Sequence, residues 1–281
     1  MRVPDDRSLV PPLAGAVAGA AALAYAGYAL PVLASARVRY RSDRHHSDRD
    51  RSHRYRNDRA RESPPGCAPS PRADALGALG GTWGIEARTA SGTGYALTFD
   101  DGPHAQGTPV ALAILAEAQV RATFFLVGEQ VLRNPALAAE IVAAGHGVGL
   151  HCHRHRNLLR LTPRQAREDI LRALGVIEET TGRSPTLYRP PYGTPSATAL
   201  ALARRRGWRT LLWSHWGRDW EAHATAESIA ALVTAGAGEG AVLLLHDADD
   251  YSAPGSWRRT VAALPRVLET LGERGLQAVA P

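Results

Sequence analysis

From Tyr95 onward, short apolar runs alternate with longer stretches in which apolar positions recur at helical spacing. Runs at 95–99, 122–127, 147–150, 186–189, 209–214, 241–246 and 276–280 have strand length. Between them, 109–118, 134–144, 163–181, 195–206, 225–235 and 258–274 read as helices. Alternation of this kind requires crossover connections, and therefore a parallel sheet in an α/β fold. Seven strands fit either an open doubly wound sheet or a barrel, and periodicity alone leaves both open.

Upstream of Tyr95 the texture is different. Between Ser8 and Ala36 no side chain is ionisable apart from tyrosine. Leu13 to Leu33 is about long enough, at ~20 residues, to cross a ~30 Å hydrocarbon layer. The expectation is an N-terminal segment 1–36 that meets a membrane through residues 9–36 as a single span or signal anchor. A cleaved signal peptide, for which Ala34-Ser35-Ala36 has the small-residue pattern, and an Ala-rich soluble helix are the alternatives. Residues 37–62 interleave Arg with Asp, Ser and His, and such a segment buries too little apolar surface to offset its chain entropy. With the Pro- and Gly-rich stretch behind it, this predicts a disordered linker over 37–92 and a folded domain over 93–281.

The net charge of +6 suggests acidic partners only until it is located. Residues 1–36 are neutral, and 37–62 carry ten Arg against five acids, which leaves +1 for everything after. Nucleic-acid binding would need a basic folded surface, so no nucleic acid is expected as a partner. A 44% hydrophobic, 21% charged chain of 281 residues excludes wholesale disorder and a multi-pass membrane protein. Two cysteines, Cys67 and Cys152, cannot make a disulfide framework.

The unusual polar clusters fall where strand candidates end. Asp100-Asp101-Gly102-Pro103-His104 follows 95–99, and His151-Cys152-His153-Arg154-His155 follows 147–150. Arg189-Pro190-Pro191-Tyr192-Gly193 closes 186–189, Gly217-Arg218-Asp219-Trp220 follows 209–214, and His246-Asp247 ends 241–246. The carboxyl ends of parallel strands are where α/β proteins build their sites. Adjacent carboxylates at a strand end point different ways, so one can bind a cation while the other stays free as a base; Asp-Asp-Gly-Pro is equally ordinary turn chemistry. Two histidines four apart recur on one face of a helical turn. With Asp101, His151 and His155 would form a two-His, one-carboxylate set suited to Zn²⁺ or another divalent transition metal. His153 between them should point elsewhere, and Cys152 reads as a small packed residue. Arg189 and Asp219 could be a structural ion pair. His246 is either a capped rim histidine or a general acid, with Asp219 available to raise its pKa.

Taken together, T-F-D-D-G-P at 98–103, H-C-H-R-H at 151–155, R-P-P-Y-G at 189–193, R-D-W at 218–220 and L-L-L-H-D at 243–247 resemble the polysaccharide deacetylases. This is the family of the NodB-homology domain, carbohydrate esterase family 4. The resemblance spans about residues 93–280 and implies a distorted (β/α) barrel of about seven parallel strands. It implies a metal-dependent hydrolase that removes N-acetyl groups from amino-sugar glycans. Asp100 would be the general base, with Asp101, His151 and His155 as metal ligands. His246 would protonate the leaving amine, Arg189 orient the base and Asp219 tune the acid. The backbone N–H of Tyr192 would bind the oxyanion, and Trp220 and Leu244 would flank the acetyl methyl. The family usually has Ser or Thr where this chain has Cys152, and often an aromatic where it has His153.

A lipid-linked sugar, or another amide within the same superfamily, is the rival substrate, and a glycan-binding module without turnover the rival from another class; Asp100 and His246 argue against the latter, since a binder needs neither base nor acid. Arg37, Arg39, Arg41 and Arg44 behind the span favour retention of the domain inside the cell. A wall polymer lies outside, and the expectation is a single-pass membrane protein with its catalytic domain outside the cytoplasm.

Overall fold

The computed structural model describes residues 84–281. The span at 9–36, the Arg-rich segment and most of the linker read from sequence lie outside the described residues. Among the described residues, no helix is long and apolar enough to cross a membrane.

Eight strands form one all-parallel sheet: β1 (Ile85–Glu86), β2 (Tyr95–Asp100), β3 (Thr123–Leu126), β4 (Gly147–Leu150), β5 (Leu187–Tyr188), β6 (Arg209–Leu211), β7 (His215–Trp216) and β8 (Ala241–His246). Their order is β1-β6-β5-β4-β3-β2-β8-β7. Among the described residues, seven α-helices accompany it: α1 (Gly107–Glu117), α2 (Gly128–Arg133), α3 (Pro135–Ala143), α4 (Pro163–Thr181), α5 (Ala197–Arg206), α6 (Ala226–Thr234) and α7 (Ser256–Glu273). The longest of them, α4, starts where its sequence says it should. Thr162 accepts from the Gln165 N–H, Gln165 reaches back in a capping box, Pro163 sits in the first turn, and Gly182 ends the helix at φ 65°.

The sheet cannot be flat. β6 is second from one edge and β7 is the opposite edge, a separation of roughly 29 Å at ~4.8 Å per strand. Yet Leu211 and His215 are four residues apart and can span at most ~14 Å. The connection closes the distance by bonding to both sides: the Leu212 N–H donates to Glu86 O at 2.7 Å, and the Ser214 N–H to Val242 O at 2.9 Å. Arg88, just beyond β1, also bridges Ala241 of β8. Among the described residues no ladder pairs β1 with β7, so the sheet is a curled, incompletely closed (β/α) barrel.

Two strands had no counterpart in the sequence pattern. β1 and β7 are two residues each, too short to show a period. β1 also lies inside the 37–92 segment read as linker, and its pairing with β6 carries the folded domain back to at least Ile85. Conversely, 276–280 is not a strand; it makes a single bridge, Tyr95 to Ala278. α2 follows β3 after one residue and falls between the elements expected there.

Alternation along β8 separates two environments. Leu243 and Leu245 join the large apolar core beneath the helices, with Leu97, Phe99, Phe124 and Leu126. Inside the curl, the Arg189 guanidinium lies 3.9 Å from the Phe125 ring centroid. Phe125 finds that place only because residue 149 on β4 is glycine: a Cβ there would meet the ring at 2.5 Å.

Candidate active site

All strands being parallel, their carboxyl ends share one rim, and five of them deliver the polar clusters to it. Asp100 is the last residue of β2, in register with His246 on β8. Asp101 follows at φ 78°, a left-handed conformation that turns the second carboxylate over the rim while the first stays in the barrel.

Asp101 Oδ1 lies 3.5 Å from His151 Nε2 and 3.4 Å from His155 Nε2. Those separations are too long for good hydrogen bonds. They match the ~3.3 Å edge of a tetrahedron built on ligand bonds of ~2.0–2.1 Å. Oδ1 is buried without a hydrogen-bond partner, an arrangement that costs free energy unless something positive fills it. The opposite nitrogen of His151 settles its tautomer: Nδ1 donates to the Arg189 carbonyl at 2.8 Å, so Nε2 presents its lone pair to the cluster. Burial pushes the Asp101 carboxyl up, but the facing imidazoles of His155, His151 and His246 hold it well below the usual carboxylate range. Burial brings His155 down to about 4 against the pull of Asp101, leaving it neutral at pH 7. A carboxylate and two imidazoles converging on one point are a donor set for a divalent cation.

His151 and His155 do not share a helical turn, as their spacing suggested. The chain between them is an irregular loop opened by Cys152 at φ 66°. The Cys152 thiol is fully buried, points to the Tyr188 hydroxyl at 4.0 Å, and is pushed up by burial. It is no ligand. Cys152→Ser should therefore keep its metal content at the wild-type level by elemental analysis; an emptied site would mean a wrong ligand set. His153 turns away from the cluster, its ring filling the space that a side chain at Gly128 would need.

Arg189 is completely buried and binds four acceptors: Asp100 Oδ1 at 2.7 Å, Thr98 Oγ1 at 2.8 Å, Leu211 O at 2.9 Å and Leu212 O at 2.9 Å. The pair of Arg189 with Asp219 weighed from sequence does not form. Asp100 Oδ2 stands 3.8 Å from His151 Nε2, at the edge of the cation site. Across the site, His246 Nε2 is 3.9 Å from Asp101 Oδ2, while its Nδ1 bonds Asp219 Oδ1 at 2.9 Å. Asp219 is itself fixed, accepting from the His246 N–H at 2.7 Å and the Thr260 hydroxyl at 2.8 Å. Burial disfavours charge on His246, but Asp219, then Asp101 and Asp100, push it up to about 10, so it carries a proton at neutrality.

The walls are aromatic. The Trp220 ring stands edge-on to His246 at 5.5 Å, and Leu244 lies two residues before His246 on the same strand face, buried. Tyr192, at φ 60°, packs its ring 4.4 Å from His155 and donates to the His155 carbonyl at 3.4 Å. Tyr251 stacks on His155 at 4.7 Å, its hydroxyl donating to Glu129 at 2.6 Å. Neither Tyr251 nor Thr260 was identified from sequence: both follow the last motif and carry no local pattern. Asp247 lies beneath the rim, fully buried, bonded by Thr108 and raised by burial to about 7.

A second group, His104, Asp249 and Asp250, has ligand-type atoms close together. His104 Nδ1 accepts from the Gly107 N–H at 2.9 Å, so a neutral ring carries its proton on Nε2, facing Asp249 at 3.4 Å. That nitrogen is a donor there, and the group serves the start of α1.

The sequence profile of the polysaccharide deacetylases matches residues 87–211. A peptidoglycan-N-acetylglucosamine deacetylase of Bacillus cereus is 35% identical over 187 residues, 66% of this chain and 84% of that protein. The chain belongs to the polysaccharide deacetylase family. A chitooligosaccharide deacetylase of a Bradyrhizobium strain is also 35% identical, over 64% of this chain and 85% of its own length. Among solved structures, a family 4 carbohydrate esterase from Streptomyces lividans in complex with acetate superposes with a TM-score of 0.60 at 34% identity. The match covers 66% of this chain and 92% of that one. The polysaccharide deacetylase profile runs from just after β1 to the end of β6.

Proposed function

We propose that this chain is a metal-dependent hydrolase that removes N-acetyl groups from amino-sugar glycans, with a cell-wall or surface polysaccharide as substrate. One observation carries the reading: the Asp101, His151 and His155 cluster stands between two separately fixed proton-transfer groups, Asp100 on Arg189 and His246 on Asp219. The nitrogen and oxygen donors suit Zn²⁺ or another divalent transition metal. When bound, such a cation supplies Lewis acidity, lowering the pKa of water and polarising an amide carbonyl.

The remaining chemistry belongs to the chain. Arg189 holds one oxygen of Asp100, so the carboxylate is oriented to take the proton from an attacking water. That water's oxygen bonds to the acetyl carbon, the carbonyl oxygen gains charge, and the Tyr192 backbone N–H is the donor assigned to it. His246, protonated, gives its proton to the sugar nitrogen as the C–N bond breaks, releasing acetate and a free amine. Trp220 and Leu244 provide the apolar wall for the acetyl methyl. Acetate release from acetylated chitooligosaccharides and from peptidoglycan, with and without a chelator, tests this. Chelator-sensitive release with recovery on adding zinc is expected; binding of either glycan without release would leave the binding-module reading in its place.

The membrane reading belongs here as well. The apolar residues 9–36 would anchor the chain as a single span, and the Arg-rich linker would carry the catalytic domain away from the bilayer, outside the cytoplasm. On intact spheroplasts, added protease should then cleave the domain. If the domain survives until the membrane is lysed, although cleavable in detergent, a lipid-linked sugar on the inner leaflet becomes the substrate.

A further inference from the structure

The two histidines of the metal cluster are carried on an irregular loop, and an irregular loop does not fix a ligand spacing by itself. Residues 151–156 have no helical or strand hydrogen bonding among themselves that could do so. The loop is held instead from both sides through its backbone. From one side, the Gly128 and Glu129 N–H groups donate to the carbonyls of Cys152 and His153, each at 3.0 Å. From the other, Asp169 of α4 takes the amides: Oδ2 accepts from the His153 N–H at 2.8 Å and the Arg154 N–H at 3.3 Å. Its Oδ1 accepts from Arg156 Nη2 at 2.5 Å. The Asp169 side chain is only 2% exposed, on an otherwise apolar face with Ile170, Ala173 and Ile177. A carboxylate there is costly unless its charge and both oxygens are used, and all of its recorded partners lie between the two ligand histidines or one residue beyond them.

We propose that Asp169 is a positioning residue of the metal centre: it sets the distance between His151 and His155, so that cation affinity depends on it although it touches neither the cation nor the substrate. The inference rests on the metal site of the proposed function. Only an acceptor on both oxygens satisfies the loop. Asparagine presents an N–H₂ to either the loop amides or the Arg156 guanidinium, donor against donor, whichever way it is flipped.

The test is zinc affinity, measured on the full chain by competition with a chromophoric chelator, with thermal melting of the metal-free protein alongside. Asp169→Asn should weaken zinc binding 10- to 100-fold, the range found for residues that support ligands from behind. The free zinc needed for half-maximal acetate release should rise by the same factor. A purely structural acid would lower the melting temperature and leave the zinc affinity of the folded fraction unchanged, which overturns the proposal. If Asp169→Asn does not fold, Asp169→Glu decides. It keeps the charge but moves the oxygens by one methylene, so a weaker zinc affinity is expected, and wild-type affinity overturns the proposal. A wild-type chain that binds zinc but releases no acetate defeats the proposed function and leaves the role of Asp169 standing. A wild-type chain with no zinc affinity defeats both.

Discussion

The His151→Ala protein should lose its metal and its acetate release together, by more than ~10²-fold, because supporting residues alone are worth 10–100-fold and His151 is proposed as a direct ligand. The geometry makes the loss specific. His151 Nε2 faces Asp101 Oδ1 at 3.5 Å, and its Nδ1 contributes one bond to the buried Arg189 carbonyl, whose loss costs the fold about 1–3 kcal/mol. The rest of the Arg189 network is untouched. Asp101→Ala should behave alike, with the orphaned Oδ1 gone and nothing to replace it. Elemental analysis of the purified variants is the check. Full occupancy after His151→Ala would remove the ligand assignment, whatever happened to activity.

Asp100→Asn should part the two properties. Metal content stays, since Asp100 is at the edge of the cluster and not among the three converging donors. Turnover falls by ~10²–10⁴, the usual cost of losing a general base. Asparagine is close in shape and can still accept from Arg189 Nη1, but it leaves a fully buried guanidinium without a counter-charge. Breaking such pairs costs up to ~3–5 kcal/mol, so a lower melting temperature should accompany the lost turnover. Turnover close to wild type would show that another group takes the proton.

Much of this was legible in the chain because each motif sits at the end of an apolar run. Asp100, His151, Arg189 and His246 are all at or just past strand ends, so the alternation that predicts a parallel sheet also predicts that they meet. The convergence of these residues on one rim was therefore within reach, as was the burial of Cys152. The geometry of the second motif was not. A spacing of four suggests a helical turn, but the left-handed Cys152 produces a loop, and nothing in five residues records that. Residues acting from outside the motifs were equally hidden. Asp169 and Thr260 are single polar positions on amphipathic helices, indistinguishable by pattern from solvated ones until the packing shows them buried. β1 and β7 escaped for a different reason: two residues have no periodicity, and their pairing is dictated by closure of the curl.

That closure ties the base to the curl of the sheet. Arg189 holds the base with one nitrogen while bonding the carbonyls of Leu211 and Leu212 with two others, and Leu212 is where the chain starts to leave β6 for the far edge of the sheet. The cation donors follow β2 and β4, and one of them, His151, leans on the carbonyl of the same Arg189 through its Nδ1. A molecule whose seam has parted thus loses two of the four acceptors that hold Arg189, and with them the anchor of the Asp100 carboxylate. The orientation of Asp100 is therefore a property of the curled sheet as a whole, not of the loop that carries it.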